Sequence, residues 1–199
     1  MGFKNGVSSG VTKISHVFAW AGGLLVLLSA VLVTLDVMIR NFFRLTILES
    51  FELTGYAFGA SVTLGFAYAL IAKSHIRIEV VYVLFRRPIR IALDVVAIVF
   101  LALAAIVLAW YASQAVLYSY ANSAHSTTTL AVPLVVPQGV WLVGIVWFAL
   151  VAVWLAINSV LNLLEGRPEL VDQEIGVLAL QEEITLSSRG ADLPPIDIR

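Results

Sequence analysis

Cysteine is absent from all 199 residues, which excludes disulfides, thiolate metal sites and a cysteine nucleophile. Charge is scarce. Asp, Glu, Lys and Arg make up 13% of the chain, about half of the roughly 25% usual in a soluble domain. Neither sign dominates: 12 Lys and Arg face 13 Asp and Glu, a net −1, so there is no basic footprint for nucleic acid. What abounds is apolar, at 60% of residues and a mean hydropathy of +0.96. A soluble fold must still turn an outer surface to water and cannot hide so much apolar area. Lipid is therefore the solvent for most of this chain, and an ordinary cytosolic enzyme is excluded.

Charge-free runs mark where the chain crosses the membrane, since a hydrocarbon core of about 30 Å takes roughly 20 apolar residues in a helix. Ile14 to Leu35 and Leu53 to Ala72 carry no Asp, Glu, Lys or Arg. Val95 to Ala124 is a longer charge-free run that turns polar at its end, through Ser113, Gln114, Tyr118, Ser119, Tyr120 and Asn122. A fourth run follows Pro133 and Pro137, which interrupt the segment before it. The expected fold is an all-α integral membrane protein with four transmembrane helices, at about 14–38, 53–72, 92–116 and 140–164. These form a membrane domain over 14–164, between an amino tail of residues 1–13 and an acidic carboxyl tail of residues 165–199. The first run is longer than the 7–15 residues of a signal-peptide core, so it is read as a retained anchor despite the basic start at Lys4 and Lys13.

Orientation follows from basic residues. The amino tail, the 2–3 connection and the carboxyl tail share one side and carry ten Lys and Arg, against Arg40 and Arg44 on the other. Both termini are expected in the cytoplasm. Two connections mix apolar and charged residues as short interfacial helices do: 41–51 (NFFRLTILESF) on the outer side and 76–90 (IRIEVVYVLFRRPIR) on the inner side. Arg77, Arg86, Arg87 and Arg90 of the inner segment are expected to anchor it to anionic lipid headgroups. The tail from Glu165 has three Arg and eight acids, with Val171, Ile175 and Leu178 at helical spacing.

Small residues crowd the second span. Gly55, Gly59, Thr63 and Ala67 form one line and Ala57, Ser61, Gly65 and Ala69 another, about 200° apart around the helix at 100° per residue. Small faces allow close helix approach in lipid. One face suits packing inside this chain's own bundle, and the second hints at a partner chain. On the fourth span, Trp147 and Trp154 share a face and suit a lipid-facing or partner-facing ridge.

Arg40, just past the first span, and Glu52, opening the second, fall at one depth where a charged pair costs less than a lone charge. Asp36, one turn before Arg40, is placed to join them. A structural clamp is the simpler reading, a substrate or ion pathway the other. No span has a charge near its centre, so this chain alone is not expected to transport anything. The histidines raise a haem-bearing four-helix protein as an alternative, in which only His16 and His75 share a side. Asp, Glu and His do not cluster as a zinc site requires, and no nucleophile elbow is present. No catalytic residue and no cofactor is expected.

Arg40, Glu52-Leu53-Thr54-Gly55-Tyr56, Gly65-Phe66-Ala67-Tyr68-Ala69 and His75-Ile76-Arg77-Ile78-Glu79, in this order, resemble the DctQ-like small membrane subunit of TRAP transporters. These are the tripartite ATP-independent periplasmic transporters of bacteria and archaea. Leu130 to Gly144 resembles that family's Pro-containing lead-in to the fourth span, and His75 falls in its His-Ile-Arg motif, here closed by Glu79 where the family has Asp. The resemblance covers roughly 40–165. One departure is that many members carry Trp-x-Glu-Glu where this chain has Glu49-Ser50-Phe51-Glu52, so only the second acid is retained. The resemblance implies an inner-membrane, non-enzymatic subunit that scaffolds a large polytopic permease subunit of elevator type. A periplasmic substrate-binding protein would deliver an organic acid, taken up with sodium. A stand-alone membrane scaffold is the remaining alternative.

Overall fold

The computed structural model describes residues 2–43, 50–73 and 86–175. They form five helices: α1 (Gly2–Phe43), α2 (Ser50–Ile71), α3 (Arg87–Ala121), α4 (Val135–Leu164) and α5 (Pro168–Ile175). Four are long and apolar enough to cross a membrane, over Ser9–Phe43, Ser50–Ile71, Pro88–Ala121 and Val135–Leu164. At about 1.5 Å per residue α2 is roughly 33 Å long and fits a bilayer core upright. The apolar part of α1, 35 residues, reaches about 52 Å and must tilt or project beyond the core.

Local chemistry sets the helix ends. Pro88 sits in the first turn of α3, where an amide hydrogen would have no helical partner and the fixed φ suits the helix. Asn122 closes α3, its side-chain amide donating to the Tyr118 carbonyl at 2.8 Å. Gly166, at φ +69°, ends α4 in a left-handed turn that a side chain would strain. The amides of Gly166 and Arg167 then donate to Leu163 O at 3.1 Å and Asn162 O at 2.9 Å, and Pro168 opens α5. Inside the spans, Ser29, Thr34, Thr63, Ser113 and Ser159 return their hydroxyls to carbonyls one turn back, which satisfies polar groups that lipid cannot.

The helices pack in the order α1, α2, α4, α3. Thus α2 and α4 run parallel in the middle, with α3 on one flank and α1 on the other. Of the spans, α4 is the most enclosed and α1 the least. Both contacts onto α2 are backbone-close. A Cβ on Gly22 would fall 2.8 Å from Ser61 O, and one on Gly144 2.6 Å from the Thr63 carbonyl carbon. Phe66 and Phe148 meet across α2 and α4 with ring centres 5.5 Å apart, above a core of Ala67, Ala102, Ala105, Val151, Ala152 and Leu155. Short α5 lies against α3 and α4 and puts fully buried Val171 into that core.

The two ends of the bundle differ. The loop end carries the α1–α2 connection and residues 122–134. The terminal end carries the start of α1, the α2–α3 connection and α5. Of the interfacial helix expected over 41–51, residues up to 43 belong to α1 and those from 50 to α2, while 44–49 lie outside the described residues. Residues 74–85, with His75 and Arg77, and 176–199, with Leu178, also lie outside them.

Candidate functional site: polar ties at the loop end

Two carboxylates organise the loop end. Asp36, on the last turns of α1, is buried at 2% exposure. Its Oδ2 accepts from Arg40 Nη2 at 2.7 Å, one turn on, and from Ser50 Oγ at 2.7 Å, on the first residue of α2. The negative charge is thus matched by a guanidinium that stays half in solvent, and the serine carries the tie across to the next helix. Charge-assisted bonds of this kind are about twice as strong as neutral ones.

Glu52 makes the second tie. Tyr56, one turn along α2, donates its hydroxyl to Glu52 Oε1 at 2.6 Å, and Thr128 Oγ1 donates to Oε2. Thr128 belongs to the connection between α3 and α4, which is a closed structure rather than a loose loop. Ser126 N donates to Val132 O at 2.9 Å and Leu134 N to Ala124 O at 3.0 Å. Ser126 Oγ accepts from Val132 N at 3.0 Å and meets Thr128 Oγ1 at 2.9 Å. His125 Nδ1 lies 2.6 Å from Ser123 O. Left-handed residues Ser123 (φ 47°) and Ala131 (φ 44°) turn the chain at either side. Together the carboxylates join α1, α2 and this loop into one polar cap.

The expected Arg40–Glu52 pair is therefore not the one formed. Asp36 shares Arg40's own helix face one turn away, so it captures the guanidinium without bridging a gap between helices. Glu52, pointing toward the 122–134 loop, is satisfied by hydroxyls instead. The three expected residues all work in the cap, in two separate ties. Ser50 and Thr128, which complete those ties, were not singled out from the sequence. For Thr128 the one hint was its place in the hydroxyl run Ser126-Thr127-Thr128-Thr129 of the 3–4 connection.

The glycines of α2 do less than their spacing suggested. A Cβ on Gly55, Gly59 or Gly65 would meet nothing within 4 Å. The close approaches are made by Gly22 and Gly144 of the flanking helices, landing on Ser61 and on Thr63–Leu64. Trp147, expected on an outward ridge, turns toward α1: its Nε1 donates to fully buried Ser15 Oγ at 3.0 Å, and its ring lies 6.0 Å from Phe18. Trp154 packs half-buried against the core. Arg86 and Arg90 begin the terminal end of α3, Arg86 exposed.

For metal or haem chemistry the described histidines are badly placed. His16 is at the terminal end, edge-on to Tyr68 with ring centres 4.7 Å apart, and His125 is in the loop at the other end. Among the described residues no group of three or more His, Asp or Glu could hold a metal ion.

Four apolar helices tied by a polar cap define a multi-pass membrane protein. A sequence model of the family described as "Tripartite ATP-independent periplasmic transporters, DctQ component" matches residues 29–163. The chain belongs to that family, as the small membrane subunit of a TRAP transporter. The match takes in the last part of α1, the cap and all of α2, α3 and nearly all of α4. No curated protein and no solved structure matches the chain.

Proposed function

We propose that this chain is a non-catalytic scaffold for a large elevator-type permease subunit, in a complex that takes up an organic acid with sodium. It sits in the bacterial inner membrane with both termini in the cytoplasm, and a periplasmic substrate-binding protein delivers the solute. The observation that carries the reading is the family match over 29–163. The geometry agrees with it. A scaffold must resist the movement of its partner, and this chain ties its loop end across three elements through Asp36–Ser50 and Glu52–Thr128. Ten basic residues against two support placing the terminal end in the cytoplasm. There Arg77, Arg86, Arg87 and Arg90 anchor the scaffold to anionic headgroups. The small faces left open at Gly55, Gly59 and Gly65 are surfaces where a partner helix approaches.

The test is a mild-detergent pull-down of the tagged chain from its native membranes, with mass spectrometry of what co-elutes. A larger, very hydrophobic protein in stoichiometric amount is the expected result. Elution of the folded chain alone in several detergents would overturn the proposal.

A further inference from the structure

A groove of about 540 Å³ opens sideways between α1 and α2 at the terminal end, lined by His16, Trp20, Gly23, Leu24, Leu27 and Tyr68. Its polarity is graded. His16 and Tyr68 sit together at the terminal end with rings 4.7 Å apart, and Trp20 adds an indole N–H one turn further along α1. From there toward the middle of the span the wall is Gly23, Leu24 and Leu27. Gly23 makes the hollow, because a Cβ there would meet nothing within 4 Å. From His16 to Leu27 the helix rises about 16 Å, close to half of a bilayer core of about 30 Å. The groove thus runs the depth of one leaflet and ends near the bilayer centre.

Its charge is also one-sided. Lys13, exposed, stands one turn before His16 on α1, and among the described residues Lys73, Arg86, Arg90 and Arg167 also belong to this end. Among the described residues neither the His16 ring nor the Tyr68 hydroxyl makes a hydrogen bond, so both have donors to offer. An apolar half-leaflet slot with two donors and a cation at its mouth is complementary to an amphiphile with a negative head.

We infer that this groove holds one anionic phospholipid, with an acyl chain along Gly23–Leu27 and its phosphate at His16, Tyr68 and Lys13. Imidazole and phenol donate to the phosphate oxygens and the ammonium adds charge, a pattern that a zwitterionic head, carrying its own cation, satisfies less well. The lipid stiffens the contact between α1, the least enclosed span, and α2. It goes beyond the general basic anchoring of residues 76–90 in naming a bound molecule and its slot. It rests on the membrane reading of the helices and not on what is transported.

The experiment is native mass spectrometry of the full chain, stripped of lipid in detergent and titrated with phosphatidylglycerol or phosphatidylcholine of identical chains. One phosphatidylglycerol is expected to stay bound, with a preference of about tenfold over phosphatidylcholine, the factor that roughly one to two neighbouring cations supply. Gly23→Leu fills the slot and is expected to abolish retention of both lipids while circular dichroism stays helical. His16→Ala and Lys13→Gln, at exposed positions, are expected to remove most of the preference and leave chain binding in place. Equal retention of the two lipids by the parent would overturn the proposal. So would undiminished phosphatidylglycerol binding in Gly23→Leu. If Gly23→Leu keeps its lipid but loses a co-purifying membrane protein, a partner helix occupies the groove and the lipid does not. Should Gly23→Leu fail to fold, the two exposed variants decide: an unchanged preference in both sinks the assignment.

Discussion

Glu52 of α2 and Thr128 of the α3–α4 connection, 76 residues apart, are joined carboxylate to hydroxyl. The contact ties the loop's own side chain to α2, so it helps fix where the loop sits. Thr128→Val removes the donor and keeps the shape. The expected outcome is roughly tenfold faster amide exchange across 124–134, the size of one lost charge-assisted bond, with exchange in α4 unchanged. Glu52→Ala should give the same pattern, and the two together no more than either alone. Additive effects would mean that the two side chains act separately.

Asp36 serves two helices from one oxygen. Arg40→Ala is expected to cost about 1–3 kcal/mol, since it leaves a buried carboxylate with Ser50 alone. Asp36→Asn keeps an acceptor for Ser50 and drops the charge, so it should cost less than Arg40→Ala, and Arg40→Ala should cost little once Asp36→Asn is present. Thermal unfolding of the four chains in one detergent provides the comparison. If Arg40→Ala were silent in the parent, the guanidinium would be solvated and the pairing idle.

How much of this was legible beforehand follows from the physics of each feature. The spans were readable because lipid imposes length and apolarity along the chain itself, so no partner has to be known. That Asp36, Arg40 and Glu52 would need polar partners was also readable, because charge near a span is costly wherever it pairs. Which acid takes Arg40 was not. That depends on the rotation of α1 against α2 and on the path of the 122–134 loop, and neither is written in spacing. Which glycines make the close contacts inside this chain was not written in spacing for a related reason. A close helix contact needs one small side, and the side can belong to the neighbour: Gly22 and Gly144 supply it, although neither sits in a GxxxG pair. Val171 was marked by its spacing in the tail, but its burial between α3 and α4 required the Gly166 turn that folds α5 back.

The glycines accordingly predict opposite signs. Gly144→Ala puts a methyl group where the Thr63 carbonyl carbon is 2.6 Å away, so α2 and α4 must part, at a cost of about 1–3 kcal/mol for overpacking. Gly59→Ala meets nothing within 4 Å and gains up to about 1 kcal/mol of helix propensity. Thermal scans of the purified chain should show one midpoint falling and the other level or rising. A fall for Gly59→Ala as well would mean that this face is already closed within the chain. Should Gly59→Leu spare the chain but lose the co-purifying subunit, the open face of α2 is the partner's seat.

Trp147 and Ser15 give the sharpest test of how α1 is held. α1 leans mainly on α2, and its polar link to α4 is the bond from Trp147 Nε1 to Ser15 Oγ, 3.0 Å long with Ser15 fully buried. Trp147→Phe keeps an aromatic ring near Phe18 and deletes the donor, while Ser15→Ala deletes the acceptor. Each should lower stability by about 0.5–1.5 kcal/mol through the bond. Trp147→Phe also loses ring area, so the single variants cannot separate the two effects. The double variant does: in the Ser15→Ala background Trp147→Phe should cost only its packing loss, and the shortfall from additivity is the bond. Thermal unfolding of the four chains in one detergent measures it. Strict additivity would mean that the bond contributes nothing and that α1 is held to α4 by packing such as that of Phe18 on Trp147.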